Sequence, residues 1–290
     1  MYPIHHSLSP DELPSWGDIS SLSDEELFAL YDACENRLTS VDKSTSVRRI
    51  ASDVVVKAGA IRESEWITMI LVHETTTVLV PAVRRVLHVN ERKGFVMDYI
   101  PGQTVNQCWH NLGLWQRFSL FWTLRSYIKQ LRRVSIPGKP RSEHVPGPIG
   151  HEPQLCLGGM FSPDYGAGPF ASYDALKSWF RWKLHVNRKV RKYPTEAVKF
   201  DFSLPLALTH LDISSYNILV DKESRIWMID WEHSGFYPQW FEYIGMYNNC
   251  WVDQLGKWHD WIVGFVTGFY RKQAVFISMI GWALTTGVFL

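Results

Sequence analysis

The chain has 290 residues, 46% of them hydrophobic and 20% charged, which excludes a mini-protein and a wholly disordered chain and favours two lobes over a single core. Thirty basic against 29 acidic residues leave a net charge of +1, so no general positive field exists and we expect no nucleic-acid partner. The four cysteines form no C-x-x-C pair, which excludes a zinc knuckle and a small disulfide framework. We expect reduced thiols and a cytoplasmic protein.

The first hundred residues carry mostly strand signals. Residues 1–22 show little periodicity and no secretory signal, so we expect an arm, after which Ser23 caps a short helix that ends near Cys34. Apolar residues at the spacing of one helical face predict a helix that begins near Glu63. The predicted strands are Ser46–Ala51, Asp53–Lys57, Val83–Val89 and Gly94–Ile100.

Helical patterns dominate after Pro101-Gly102, which marks a lobe boundary. Pro137 to Pro169 is rich in Gly and Pro and is expected to be irregular. The predicted elements of this part are helices at Leu114–Val134 and Tyr173–Lys192, strands at Leu206–Thr209, Tyr216–Val220 and Arg225–Ile229, and further aromatic-rich helices. No internal repeat is present.

The C-terminal segment, residues 273–290, contains no charged residue. Its length lies near the lower limit for a membrane-spanning helix, which takes about 17 to 25 residues, and its Ser, Thr and Gly residues weaken that interpretation. We expect a buried terminal helix of the second lobe, and attachment to a membrane by residues 273–290 is the disfavoured alternative.

One group of polar residues has side chains that can take part in a chemical reaction. The run from His210 to Asn217 includes Asp212, and one hairpin later the chain reaches Asp230. Antiparallel pairing would bring Asp212, Asn217 and Asp230 to the same end of the hairpin. Mg²⁺ prefers hard oxygen ligands, which suits Asp230 and the Asn217 carbonyl, and Asp212 could then accept a proton from a substrate hydroxyl. The alternative is an Asx turn and two polar residues at a hairpin end.

The spacing of His210, Asp212 and Asn217, followed by Ile229-Asp230, resembles the catalytic and metal-binding loops of the protein-kinase-like superfamily. Further short motifs, spread over about residues 45 to 250, resemble the fungal branch of the aminoglycoside phosphotransferase family. These motifs are Val56-Lys57, Val80–Val83, Met97–Gly102, Gly168–Phe170, Trp231–Pro238 and Trp240–Tyr243.

The resemblance implies an α+β bilobal protein-kinase-like fold that uses ATP and Mg²⁺. Asp212 matches the catalytic base, Asn217 and Asp230 match the magnesium ligands, and His210 matches a residue that braces the loop. The implied domains are an N-terminal arm and short helix over 1–40, a small antiparallel-sheet lobe that binds nucleotide over 41–100, and a larger helical lobe that binds substrate over 101–290.

The resemblance also implies a nucleotide site. Lys57 matches the lysine that contacts the α and β phosphates and pairs with a helix carboxylate, although an edge-strand lysine is the alternative. Glu63 and Glu65 are both candidates for that partner, and the family's short linker favours Glu63. At the hinge, Asp98 is expected to offer its carbonyl and Ile100 its N–H to adenine.

Departures from the family pattern narrow the function. No Gly lies between Thr39 and Lys57, so Ser44-Thr45-Ser46 must cover the phosphates. Ser214 stands where protein kinases carry Lys, Trp231 replaces the Phe of D-F-G, and no A-P-E is present, which disfavours a protein substrate.

The charge balance of the second lobe narrows the chemical class of the phosphoryl acceptor. Residues 141–290 hold 14 acidic and 14 basic side chains, which does not suit a polycationic aminoglycoside. Eight Trp and Tyr residues crowd positions 231–261, most of them expected in the core, although a few could line an apolar pocket. We expect transfer of a γ-phosphoryl group to a hydroxyl of a small metabolite. The alternatives are a non-catalytic nucleotide-binding or scaffold module and a membrane-attached protein.

Overall fold

A five-stranded antiparallel sheet forms the first part of the fold. The computed structural model describes residues 13–35, 37–38, 45–158, 160–162, 165–191, 203–249 and 251–284. The strands are β1 (Arg37–Leu38), β2 (Thr45–Arg48), β3 (Val54–Gly59), β4 (Val83–Val89) and β5 (Arg92–Asp98). They are arranged in the order β1-β2-β3-β5-β4, and a strand lies at each of the four places predicted in the first hundred residues.

The two faces of this sheet bury different partners because successive strand side chains alternate. Val54, Val56 and Ala58 of β3 pack in one cluster with α2 (Asp24–Ala33). Lys57 pairs in register with Phe95 of β5, and Phe95 belongs to a second cluster that includes α3 (Glu63–Thr75). The strand period therefore directs Lys57 away from α2 and toward α3.

The N-terminal arm is more ordered than expected within the described residues. Trp16–Ile19 forms a single helical turn, α1, capped by Ser15, and Ile19 is buried. Ser23 caps α2 and forms a capping box with Glu26, as predicted from the sequence. The expectation of an irregular arm is therefore wrong at Trp16–Ile19, where burial of Ile19 favours the helical turn; residues 1–12 and Ser44 lie outside the described residues.

Two main-chain connections help to attach the sheet to the second part of the fold. The strand β6 (Gly102–Thr104) follows β5 closely and pairs with β8 (Ile218–Asp221), which in turn pairs with β9 (Ile226–Met228). A Cβ atom on Gly102 would lie 2.7 Å from the Val220 carbonyl oxygen, so this close pairing requires glycine. The second attachment is a hydrogen bond from the Met228 N–H to the Leu79 carbonyl at 2.9 Å.

Helices make up most of the second part. They are α4 (Val105–Cys108), α5 (Leu114–Leu131), α6 (Tyr173–Arg191), α7 (Phe241–Asn248), α8 (Val252–Leu255), α9 (His259–Thr267) and α10 (Arg271–Leu284). A further antiparallel pair joins β7 (Leu206–Thr209) to β10 (Gly235–Pro238). In the predicted irregular stretch, the described residues contain only a 3-10 turn, Arg141–Glu143, and isolated bridges. The α+β fold class is confirmed.

The C-terminal helix α10 packs against α6 and α7. Phe276, Ile277 and Ile280 are buried, and the Asn187 side-chain amide donates a hydrogen bond to the Met279 carbonyl at 2.6 Å. The predicted terminal helix is confirmed up to Leu284, and residues 285–290 lie outside the described residues. Among the helices described, none combines the length and the apolar character that crossing a bilayer requires.

A substitution in α10 tests this packing. Ile280 is fully buried, so Ile280→Ala is expected to lower the free energy of unfolding by about 2 to 5 kcal/mol through lost burial and a residual cavity. Val275 on the same helix is 50% exposed, and Val275→Ala should change it by less than about 0.5 kcal/mol. Urea unfolding measures both values, and equal small changes would contradict the packing of α10.

Candidate active site

The β8–β9 hairpin brings Asp212, Asn217 and Asp230 to one end. The Asn217 side-chain amide donates to the Asp212 carboxylate oxygen Oδ2 at 2.5 Å and to the Asp212 carbonyl at 3.0 Å. The Ile229 N–H donates to the Asn217 carbonyl at 3.0 Å, which places Asp230 beside Asn217. The Asn217 amide nitrogen is thus committed to Asp212, and its Oδ1 atom is the end that could meet a cation.

Asn249 is a site residue that the sequence did not reveal. It follows α7, and its side-chain amide donates to the second carboxylate oxygen of Asp212, Oδ1, at 2.8 Å. Both oxygens of Asp212 therefore accept a hydrogen bond from an amide, which fixes the plane of the carboxylate. No spacing rule signals this contact, because it depends on how α7 packs. Gly245 allows that packing, since a Cβ there would lie 2.6 Å from the Leu211 carbonyl oxygen.

A buried carboxylate braces the loop that holds Asp212. Glu242 of α7 accepts hydrogen bonds from the backbone N–H groups of His210 and Leu211 at 2.7 and 2.9 Å. Burial raises the pKa of Glu242 to about 7, and the two N–H donors oppose that shift. Leu211 has a φ of 66°, a left-handed conformation that is rare for a bulky residue. The two hydrogen bonds that Glu242 accepts help to hold the chain in this strained conformation.

His210 has a structural role in the loop that carries Asp212. Its Nδ1 atom accepts the Asp212 N–H at 3.2 Å, so Nε2 carries the hydrogen and donates to the Ile229 carbonyl at 3.0 Å. The ring packs edge-on against Trp231. Burial lowers the pKa of His210, which keeps the imidazole neutral at physiological pH. His210 therefore ties the loop to the end of β9, as expected from the sequence.

Lys57 connects the sheet, α3 and the hairpin. Its ammonium group lies 2.7 Å from Glu65, 2.8 Å from Asp230 and 4.0 Å from Glu232. Burial alone lowers the pKa of Lys57, but the three carboxylates outweigh burial and raise it above its ordinary value. Burial would by itself raise the pKa of Asp230, but Lys57 outweighs it and lowers that pKa. Lys57 is therefore a fixed positive charge beside Asp230.

The expected partner of Lys57 is wrong in one respect: Glu65, and not Glu63, makes the ion pair. Residues two apart on a helix point to different sides. Glu65 lies on the buried face of α3 with Trp66, Met69 and Val72. Glu63 lies outside that face and pairs with Lys93 of β5 at 2.5 Å.

The predicted hinge residues lie where β5 ends. The Asp98 carboxylate accepts a hydrogen bond from Arg84 at 2.6 Å, and the Asp98 N–H donates to the Ala82 carbonyl. The Tyr99 N–H donates to the Asp53 carbonyl at 2.8 Å. The Asp98 side chain is thus directed to Arg84, and any contact of this segment with a base would use the main chain. The roles of Asp98 and Ile100 stay predictions.

The donor chemistry at the hairpin end fits a magnesium ion. Among the described residues, no group of three or more His, Cys, Asp or Glu side chains is arranged to hold a metal. One Asp230 oxygen faces Lys57, which leaves the other Asp230 oxygen and the Asn217 Oδ1 atom as hard donors. Mg²⁺ commonly takes one or two carboxylates and completes its shell with phosphate oxygens and water. Two protein donors are therefore sufficient.

Comparisons with known proteins show the family of the chain. Residues 40–267 match the model of the phosphotransferase enzyme family, APH. The chain belongs to this family. None of the curated proteins matches it. This phosphotransferase has the predicted kinase-like fold, and its assignment to a fungal branch stays a prediction.

Solved structures share the fold at low identity. The gentamicin complex of APH(2")-IIa is 17% identical, with a TM-score of 0.52 over 89% of this chain and 84% of that one. Spectinomycin phosphotransferase APH(9)-Ia, in complex with ADP and spectinomycin, is 15% identical, with a TM-score of 0.51 over 86% and 82%. APH(3'')-Id from Streptomyces rimosus is 12% identical, with a TM-score of 0.51 over 90% and 98%.

The two glutamates of α3 provide a matched test of the Lys57 ion pair. Glu65→Ala leaves the buried ammonium with fewer counter-charges and is expected to lower the free energy of unfolding by about 3 kcal/mol. Glu63→Ala removes a half-exposed pair and should change it by less than about 1 kcal/mol. Denaturant midpoints give both values. A larger loss for Glu63→Ala would show that the assignment of the partner is reversed.

Proposed function

We propose that this phosphotransferase moves the γ-phosphoryl group of ATP to a hydroxyl of a small molecule, with Mg²⁺ at the hairpin end. The observation that carries the proposal is the convergence of a buried, doubly paired lysine with Asp212, Asn217 and Asp230. Membership of the phosphotransferase family supports it. ADP in the spectinomycin phosphotransferase complex supports nucleotide use by this fold.

Asp212 acts on the acceptor. Its carboxylate receives the proton of the acceptor hydroxyl as that oxygen forms a bond to the γ-phosphorus. The bond between the γ-phosphorus and the oxygen that bridges it to the β-phosphate breaks, and ADP leaves with the electron pair. Asn217 and Asn249 hold the carboxylate plane with one amide on each oxygen, so Asp212 meets the hydroxyl in one orientation.

The nucleotide is held by charge. Lys57 offers a permanent ammonium to the phosphates, and Glu65 fixes its position from the buried side. Asn217 and Asp230 would hold Mg²⁺, which neutralises the developing negative charge when it is bound. The main chain at Asp98 and Ile100 would contact adenine. In this assignment residues 41–100 form the nucleotide-binding lobe and residues 101–290 the catalytic and substrate-binding lobe.

The acceptor is a small molecule of low net charge. Gentamicin and spectinomycin are bound by other proteins that share the fold. Here the balance of 14 acidic and 14 basic residues over 141–290 does not favour a polycation. A screen of hydroxyl-bearing metabolites for ATP-dependent phosphorylation identifies the acceptor.

The decisive variant is Asp212→Asn. Loss of the base should lower kcat by about 10² to 10⁴ on the screened acceptor while MgATP affinity in calorimetry stays near the parental value. Asp174→Asn removes an exposed carboxylate at the start of α6 and should leave both values unchanged.

Asp230→Ala should instead abolish magnesium-dependent nucleotide binding. If Asp212→Asn and Lys57→Ala both turn over at the parental rate, these residues do not form the catalytic site and the proposal is wrong.

Asn249 and its neighbour Asn248 give a second matched pair. Asn249→Ala removes one amide from Asp212 and should lower kcat about 10-fold to 100-fold, the range for a lost hydrogen bond to a charged group. Asn248 is exposed, and Asn248→Ala should leave kcat unchanged. Steady-state kinetics with saturating MgATP measures the effect. Equal rates for both variants would remove Asn249 from the site.

A further inference from the structure

Seven large apolar side chains on and around two helices of the second part of the fold are more than half exposed. They are carried by α5 and by the segment around α9, with exposures from 53% to 83%, and are Leu114, Trp115, Phe118, Trp122, Trp258, Trp261 and Phe269. Single exposed apolar residues are ordinary, whereas a group of this size on two neighbouring helices marks an interaction surface.

The rings form a continuous chain. On α5, Trp115 contacts Phe118 with ring centroids 5.9 Å apart, and Phe118 contacts Trp122 at 5.7 Å. Trp122 reaches Phe265 of α9 at 6.0 Å, and Phe265 stacks on Trp261 at 5.5 Å. These five rings, Trp115, Phe118, Trp122, Phe265 and Trp261, are called the aromatic face below. The face crosses from one helix to the other without a break.

The aromatic face continues into positive charge. Spacings of three and four residues place Arg125 and Lys129 on the same stripe of α5 as Phe118 and Trp122. The Arg125 guanidinium lies 4.9 Å from the Phe265 ring centroid. In the turn Gly256–Trp258 that precedes α9, the Lys257 ammonium lies 5.8 Å from the Trp258 ring centroid.

The charge of this region differs from that of the chain. The helices α5, α9 and α10 and the turn Gly256–Trp258 together contain six basic residues and a single acidic one, Asp260, which pairs with Arg271 at 2.7 Å. The whole chain has 30 basic against 29 acidic residues. Positive charge is therefore concentrated beside the exposed rings.

We propose that the aromatic face docks on the surface of an anionic lipid bilayer. Tryptophan and phenylalanine on one side of a helix insert at the boundary of headgroups and acyl chains, and neighbouring Lys and Arg are attracted to anionic headgroups. A second copy of this chain is a poorer partner, because apposing the same surface would bring Arg125, Lys129 and Lys257 near like charges.

The Trp115 end of the aromatic face and the reacting groups lie at opposite ends of the β8–β9 hairpin. Trp115 lines a shallow cavity together with Val220, Ser224 and Ile226, around the turn of the β8–β9 hairpin. Asp212, Asn217 and Asp230 lie at the opposite end of that hairpin. The attachment is peripheral and does not use the helix α10 as an anchor, because α10 packs against α6 and α7 with Phe276, Ile277 and Ile280 buried.

The test is sedimentation of the full chain with vesicles. Binding is expected to vesicles of phosphatidylcholine mixed with phosphatidylserine, and to be at least about tenfold weaker for phosphatidylcholine alone. Trp115→Gln with Trp261→Gln, and separately Lys129→Glu with Lys257→Glu, should each weaken binding to the mixed vesicles at least about tenfold.

The matched control lies on α6. Trp182 is 53% exposed, close to the 56% of Trp261, and Lys189 is exposed on the same helix. Trp182→Gln with Lys189→Glu should leave vesicle binding unchanged, and all variants should keep the parental unfolding midpoint. Three results would overturn the proposal: no binding to mixed vesicles, equal weakening by the α6 control, or concentration-dependent self-association that the Trp115 and Trp261 changes abolish.

Discussion

The buried ammonium of Lys57 is the constraint on which the rest of the site depends. A charge that is only 5% exposed is unfavourable unless it is paired, and here two carboxylates from separate elements lie within 2.8 Å of it. Glu65 comes from α3 and Asp230 from the end of β9. Since the same ammonium must satisfy both, the sheet, the helix and the hairpin have one mutual position that is electrostatically acceptable. Asp230 is thereby held in a left-handed conformation, with a φ of 63°.

A second constraint is the set of hydrogen bonds between α7 and the loop that carries Asp212. Glu242 accepts hydrogen bonds from two backbone N–H groups of the loop that carries Asp212, and Asn249 at the end of the same helix donates one to the Asp212 carboxylate. One helix, α7, therefore sets both the backbone and the side-chain orientation of the loop. The strain at Leu211 is tolerated because the surrounding hydrogen bonds over-determine its conformation. The protein's own hydrogen bonds thus set the orientation of the Asp212 carboxylate.

How much of the fold and of the site could be predicted from the sequence depended on how far apart the interacting residues lie along the chain. The grouping of Asn217 with Asp230 follows from strand pairing over a few residues, and pattern alone suffices for it. The choice of Glu65 over Glu63 needs the rotational phase of α3 against the sheet, which packing decides and spacing does not. Asn249 reaches Asp212 across 37 residues, so no local rule could find it. Likewise, aromatic clustering did not reveal that Trp261 is exposed while Trp251 is buried, because that depends on which helix faces which.

The contacts between the sheet and the second part of the fold come from separate segments of the chain. They include the short passage from Asp98 to β6, which is paired with β8, and the hydrogen bonds of Leu79 with Met228 and of Thr77 with Gln130. Lys57 stands three residues along β3 from Val54, which pairs with Asp98, and this spacing corresponds to about 10 Å. A displacement of the sheet that parted Lys57 from Asp230 would leave a buried ammonium with one carboxylate fewer, so the ion pair opposes any separation of the sheet from the hairpin.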